Sequence, residues 1–286
     1  MGAKILVRTS ASEPISKFIN PMGIWLHLWS YRNLIRQLTW REVTGRYKGS
    51  FIGLGWSFIH PLVMLCVYTF VFSTIFKSRW GILSDEGTSA FAFTLFMGLI
   101  SFHIFAEVVN AAPNLILANV NFVKKVVFPL EILPVVSFLS ALIHSIFSLL
   151  ILFAGIVISG NFLSWTVLLL PVVWLPLFFT TLGCGFALAS LGVFIRDLSA
   201  SAGIMTTILF FLTPIFYPIT AVPESFKIIC MLNPLAAFVE NARKVVLWGM
   251  TPQWQAYLVG LAFSLFVLSL GFAWFMKSKS AFADVV

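Results

Sequence analysis

The sequence predicts an all-α integral membrane protein with six transmembrane helices, an N-terminal amphipathic interface helix, and re-entrant outer helices between spans five and six. Three observations carry this reading. The 286 residues are 60% hydrophobic and only 10% charged, against about 25% charged in soluble domains, and the mean hydropathy is +1.00. Several apolar runs reach the roughly 20 residues that a helix needs to cross a bilayer core about 30 Å thick. Those runs are continuous and do not alternate, which selects helices over a barrel.

Residues 1–23 read as an N-terminal tail. They hold charges, Pro14 and Pro21 but no apolar core long enough for a cleavable signal, so the first span is expected to serve as its own insertion signal. Residues 24–50 read as an amphipathic interface helix and the approach to the first span. Ile24, Leu28, Tyr31, Ile35 and Leu38 recur at spacings of four and three, one face of a helix, with Arg32, Asn33, Arg36 and Gln37 on the flank and opposite side. Such a helix lies in the membrane interface. Leu26, Trp29 and Trp40 fall off the stripe, where a partner protein could cover them.

Gly45, Gly49 and Gly53 follow at every fourth position, a spacing that on one helix face admits close approach of another helix. Arg46 and Lys48, with Arg41 as an outer member of the group, fall at headgroup depth. Two uses fit them: snorkelling to lipid phosphates, or holding a particular anionic headgroup.

Residues 51–286 read as the transmembrane domain, with spans at about 53–76, 91–111, 132–159, 165–194, 199–220 and 255–276. Between the last two, residues 226–250 are apolar enough to suggest a seventh span. Asn233 and Pro234 break that run, Glu240, Arg243 and Lys244 load its second half, and a crossing there would put Lys277 and Lys279 outside. Two short helices in the outer leaflet fit better. They are reached through "TPIFYPITAVP", so Pro214, Pro218, Pro223, Asn233 and Pro234 mark an outer gate segment over 214–250. Non-helical backbone at that depth must be covered by protein or line a wet cavity.

With the N-terminus inside, thirteen of the 18 basic residues fall on the cytoplasmic side. The other five are Lys77, Arg79, Lys227, Arg243 and Lys244, so both termini are expected in the cytoplasm of a multi-pass inner-membrane protein. The formal net charge of +8 is then a topology signal, and nucleic-acid binding explains it poorly.

Several chemistries are excluded. No Gly-Lys pair occurs, so the phosphate-cradling loop of nucleotide-binding proteins is missing. The ten carboxylates are scattered, and His27, His60, His103 and His144 stand apart in sequence, so neither a catalytic nor a metal site is expected. Cys66, Cys184 and Cys230 read as small apolar fillers. Within the spans only Glu107, His60, His103 and His144 are ionisable, fewer than a proton-coupled carrier would show. Aromatic residues are abundant instead. Trp56, Tyr68, Phe70, Phe210, Phe211, Phe216 and Tyr217 either pack against lipid and neighbouring helices or offer ring faces to sugars in a pore.

Taken in order, five segments resemble those of the permease subunit of type-2 ABC exporters, in particular the O-antigen, capsular polysaccharide and teichoic acid family. They are "RYKGSFIGLGWSFIHP", "NVNFVKKVVFPLEILP", "FIRDLS", "PIFYPITAVPESF" and "NPLAAFVENARKVVLWGMTP". The resemblance implies six spans with cytoplasmic ends and a homodimer bound to two copies of a separate ATPase subunit, which would hold ATP and Mg. It implies a first coupling turn at Asn121, Phe122, Val123, Lys124 and Lys125 and a second at Arg196 and Asp197. The implied cargo is a lipid-linked polysaccharide, whose anionic head Arg41, Arg46 and Lys48 would receive. The alternatives are an exporter of capsular polysaccharide, teichoic acid or a drug, then an ATPase-independent channel or a membrane glycosyltransferase.

Overall fold

The computed structural model describes residues 20–71, 88–123 and 128–285, and helices dominate, with no strand among the described residues. Helix α1, Pro21–Ser30, starts with proline at its first turn and an Asn20 side chain that accepts from the Met22 N–H at 3.0 Å. A break at Tyr31 separates it from α2, Arg32–Gly45, so the interface region is two helices where periodicity suggested one. The expected stripe holds across the break: Ile24, Ile35 and Leu38 are buried, while Leu26, Trp29 and Trp40 are exposed.

The glycine stripe does not hold. Helix α2 stops at Gly45, and Gly49 and Gly53 take φ of 88° and 56°, in the left-handed region that L side chains avoid. The three glycines therefore share no helix face, and a Cβ at any of them would meet nothing within 4 Å among the described residues. Their spacing belongs to a turn that delivers the chain into α3, Trp56–Tyr68.

The remaining helices are α4 (Thr88–Leu115), α5 (Val120–Val123), α6 (Ile132–Ile158), α7 (Leu170–Val173), α8 (Leu175–Phe194), α9 (Leu198–Leu212), α10 (Glu224–Leu232), α11 (Pro234–Val246), α12 (Trp254–Ser278) and α13 (Phe282–Val285). Among the described residues, four stretches are long and apolar enough to cross a membrane: Ala90–Leu115, Ile132–Ile158, Trp165–Phe194 and Trp254–Val285. Trp56–Val71 and Leu198–Leu212 are shorter apolar helices at the places expected for spans one and five. The expected end of span one, at 76, lies outside the described residues.

Span five departs from expectation. Its helix ends at Leu212 instead of 220, because Thr213 precedes a proline and turns extended at ψ 131°. Its 15 residues reach about 22 Å, less than the bilayer core. Hydropathy ran through the break, since Ile215, Phe216 and Tyr217 remain apolar.

Helix α4 forms the centre, with 89% of its apolar window buried, against 28% for α6 and 33% for the last span. Close helix contact does rest on glycine, at other positions. A Cβ on Gly271 of α12 would fall on the backbone of Gly183 in α8, and one on Gly192 would fall on the Pro113 carbonyl of α4. Without a hydrophobic drive inside lipid, such close backbone packing supplies the attraction between helices. The outward stripe of α12, Leu258, Val259, Phe263, Phe266, Leu270 and Trp274, is exposed and suits a lipid-facing surface.

Candidate functional site at the head of the first span

The turn after α2 aims Arg46 inward. Its Nη2 donates to Glu107 Oε1 of α4 at 2.6 Å, and its Nη1 donates to His144 Nδ1 of α6 at 3.1 Å. The same Nδ1 lies 3.2 Å from Glu107 Oε1, so one ring nitrogen faces both a guanidinium, which only donates, and a carboxylate, which only accepts; the ring's other nitrogen is Nε2. That Nε2 is buried without a hydrogen-bond partner among the described residues, and Tyr47 packs edge-on against the ring. Behind the triad lies a cavity of about 380 Å³ between α3, α4 and α6, lined by Ser57, His60, His103 and His144 among others. Three histidines that stand apart in sequence thus share one cavity. Glu42, in the last turn of α2, completes the surroundings, and burial lifts its carboxyl above the ordinary range while Arg46 pulls it down.

The other two basic residues expected beside Arg46 go elsewhere. Arg41 lies 5.8 Å over the Phe122 ring, and Lys48 is exposed, with no side-chain hydrogen bond or ion pair among the described residues.

A second cluster ties the chain ends together. The buried carboxylate of Glu131 accepts from His27 Nε2 of α1 at 2.9 Å and from Lys279 Nζ at 2.5 Å. Burial alone would raise its pKa, but the hydrogen bonds from His27 and Lys279 and the lysine charge hold it below the ordinary carboxylate range. Beside it one apolar cluster collects Ile24, Ala112, Val193, Phe272 and Phe282, with Phe122, Val123 and Phe128 packed against it. Residues of the first expected coupling turn, the end of the helix that leads into the second, and both described ends of the chain therefore meet in one cluster. Phe122 stacks on Phe128 with 4.1 Å between ring centres. Asn121, Arg196 and Asp197 are exposed, and Lys124 and Lys125 lie outside the described residues.

The segment expected as an outer gate is organised by Arg243, which is fully buried. It donates through Nε to the Thr94 carbonyl at 2.9 Å, through Nη1 to Pro214 at 2.7 Å and through Nη2 to Ile215 at 2.9 Å. It thereby fastens α11 to α4 and to the backbone released where α9 breaks. Asn233 links the same parts: its Oδ1 accepts from the Leu235 N–H that opens α11, and its Nδ2 donates to Thr213 Oγ1 at 2.9 Å. Pro234 occupies the first turn of α11, and Pro218 and Pro223 each immediately precede a helical turn.

The aromatic candidates divide. Phe210, Phe216 and Tyr68 pack together with Phe102 at ring distances of 5.0 to 6.1 Å, and the Tyr217 hydroxyl donates to the Phe211 carbonyl at 2.7 Å. Trp56, Phe70 and Phe211 are exposed. Periodicity and composition could not expose Glu107, His144, Glu131 or Lys279 as partners, since each pairing links helices far apart in the chain.

The family model described as ABC-2 type transporter matches residues 33–247. The O-antigen export system permease protein RfbA of Myxococcus xanthus is 26% identical over 261 residues, covering 91% of this chain and 97% of that protein. The protein of the same name from Klebsiella pneumoniae is 26% identical over 257 residues, 89% of this chain and 95% of its own length. The polysialic acid transport protein KpsM of Escherichia coli is 24% identical over 250 residues, 86% of this chain and 94% of its own.

Proposed function

The chain belongs to the ABC-2 type transporter family, and on that premise we propose that it is the permease of an exporter that moves a lipid-linked, O-antigen-like polysaccharide across the cytoplasmic membrane. The observation that carries this reading is the match along nearly the whole chain to permease and transport proteins for O-antigen and polysialic acid. The permease itself catalyses nothing in this reading, and ATP and Mg belong to a separate ATPase subunit.

The chain crosses the membrane six times with both ends in the cytoplasm. The shared cluster of α1, α13, the first turn and the end of α8 supports a common side for the ends. Two copies enclose the pore. Support comes from uncovered apolar faces on the two short helices, with Phe58, Leu62, Val63 and Val67 on α3 and Ile204, Ile208 and Phe211 on α9. The ATPase presses on Asn121, Phe122, Arg196 and Asp197, and the packing of Phe122 and Val193 against the α1 and α13 cluster offers a rigid path into the bundle.

The anionic head of the carrier lipid arrives from the cytoplasmic leaflet and meets Arg46, with Lys48 and Arg41 around it. The polymer follows between the two copies past Trp56, Phe70 and Phe211, and the segment held by Arg243 closes the outer side as a re-entrant gate. Phe210, Phe216, Tyr68 and Tyr217 support those rings from behind.

Deleting the gene tests the reading. Lipid-linked glycan should accumulate on the cytoplasmic face and disappear when the gene is restored. Undiminished surface polysaccharide in the deletion strain, with no such intermediate, would sink it.

A further inference from the structure

Behind the interface helices lies a cavity of about 1350 Å³, and none of the residues assigned to transport above lines it. One wall is apolar and comes from the bundle, with Val135, Leu139, Leu142 and Ile146 of α6 and Phe179 and Leu182 of α8. The other comes from α1 and α2, which bring Trp25, Trp29 and Trp40 and four polar side chains, Arg32, Asn33, Arg36 and Gln37. We propose that this groove is a binding site for an anionic glycerophospholipid of the surrounding bilayer, held with its acyl chains against α6 and α8 and its phosphate between Arg32 and Arg36.

Length and placement fit a lipid of one leaflet. From Val135 to Ile146 the wall follows α6 for about 17 Å, close to half of the roughly 30 Å hydrocarbon core. A transmembrane helix of a partner protein would need the full thickness. Ile35 and Leu38 pack with Ile132 and Val136 at the head of α6, so Arg32 and Arg36 on the same helix stand at that end of the groove, where a headgroup belongs. Trp25, Trp29, Trp40 and Ile146 are exposed, so a lipid enters sideways from the membrane, past tryptophans of the kind that gather at headgroup level.

Charge selects among the occupants. No carboxylate lines the cavity, and the two arginines lie one helical turn apart, where like charges repel. Among the described residues, Arg32 has a 3.4 Å hydrogen bond to the Trp29 carbonyl and sits 5.8 Å over that ring, while Arg36 is exposed with no hydrogen bond or ion pair. A phosphodiester between them meets both charges through charge-assisted hydrogen bonds. The residues ahead of α1 bring the wrong sign, with Lys4, Arg8 and Lys17 against Glu13, and a second copy of the chain would set arginine against arginine. The Thr39 hydroxyl, on a residue that lines the same cavity, is buried without a partner among the described residues. An ester carbonyl at the start of the acyl chains would satisfy it. This cavity shares no lining residue with the one behind Arg46, so a lipid seated here steadies the helix that leads to Arg46 and leaves that site open.

Native mass spectrometry of the full-length permease, released from micelles that hold phosphatidylglycerol and phosphatidylcholine in equal amounts, tests the proposal. The wild type should retain phosphatidylglycerol over phosphatidylcholine by about tenfold. The double variant Arg32→Gln, Arg36→Gln should lose that preference, and because both side chains are exposed it should melt with the wild type. Leu142→Trp, which fills the apolar wall, should lower retention of both lipids, and Lys48→Gln, a basic residue outside the groove, should retain them as the wild type does. Equal retention of the two lipids by the wild type, or a preference unchanged in the double variant, overturns the proposal. Displacement of the retained phosphatidylglycerol by an equimolar amount of polyprenyl phosphate overturns it as well, because the groove would then belong to the cargo.

Discussion

Two arginines, one near each end of the bundle, solve the same problem in different ways. Arg243 is wholly buried and donates to three main-chain carbonyls on two separate segments, with the Glu240 carboxylate farther off at 3.7 Å. Arg46 is 43% exposed and is held by a carboxylate and an imidazole. A carbonyl cannot rotate away without moving its helix, and a side chain can. The first arginine is therefore a fixed pin for the segment expected as an outer gate, and the second is held by partners that can change rotamer.

The largest effect is expected where the pin is pulled. Arg243→Leu takes the donor from the buried carbonyls of Pro214 and Ile215, and from that of Thr94, which its own helix still engages, and this costs about 3 kcal/mol or more. Arg243→Lys keeps the charge but cannot reach three acceptors with one ammonium, so it should fall between Leu and wild type. Thermal unfolding of the purified full-length permease reads both. An Arg243→Leu protein that melts with the wild type would erase the distinction between the arginines.

The next effect separates two sets of glycines. Gly271→Ala drives a methyl into the Gly183 backbone where α8 and α12 cross, and overpacking of that kind costs about 1–3 kcal/mol. Gly45→Ala meets empty space at the end of α2 and should be neutral or stabilising by up to about 1 kcal/mol. Equal melting points for the two would return the close-approach role to the first-span glycines.

These glycines also mark how far sequence reasoning reached. The long apolar helices were legible because the capacity to cross a bilayer is decided by composition over about 20 residues, and the helical bounds of α6, the Trp165–Phe194 stretch and α12 fall within a residue or two of the apolar runs. The two short helices of 226–250 were legible through Asn233 and Pro234, which stop one and start the other. The four-residue glycine spacing misled because it assumes a helix that continues, whereas positive φ at Gly49 and Gly53 is a property of the turn and not of any pattern. The end of α9 was written in the sequence at Pro214, but apolar residues beyond it hid the break. Arg46 stood out in the sequence as a basic residue just ahead of the first apolar run. Its partners did not, because Glu107 lies 61 positions away and His144 98, and only the packing of α4 and α6 brings them to it.

Acid offers a gentler test, at the opposite end from the outer pin. Glu131 has a folded pKa held below its ordinary value of 4.5 by His27 and Lys279 in spite of burial. A depressed carboxylate contributes stability that is present above the ordinary value and is lost as pH falls through the folded one. The melting temperature should therefore drop as the pH is lowered beneath about 4.5, and Glu131→Gln should flatten that part of the profile. A variant profile parallel to the wild type would mean that the cluster joining the chain ends carries no such linkage.

The smallest effect on stability should come from the arginine with the largest effect on transport. The ion pair of Arg46 with Glu107 is partly exposed, with side-chain accessibilities of 43% and 26%, and pairs of this kind contribute at most about 1 kcal/mol. Arg46→Gln should unfold close to the wild type and still insert and assemble with its partners, yet fail to export. Lys48→Gln, at an exposed side chain without a hydrogen bond or ion pair among the described residues, should leave the melting temperature unchanged and reduce export less. The comparison is sharpest in the pair of measurements taken together: Arg243→Leu loses the fold and transport with it, whereas Arg46→Gln loses transport alone. If Arg46→Gln instead lowers the melting temperature as far as Arg243→Leu does, both arginines are structural, and the anionic head of the cargo must be received elsewhere.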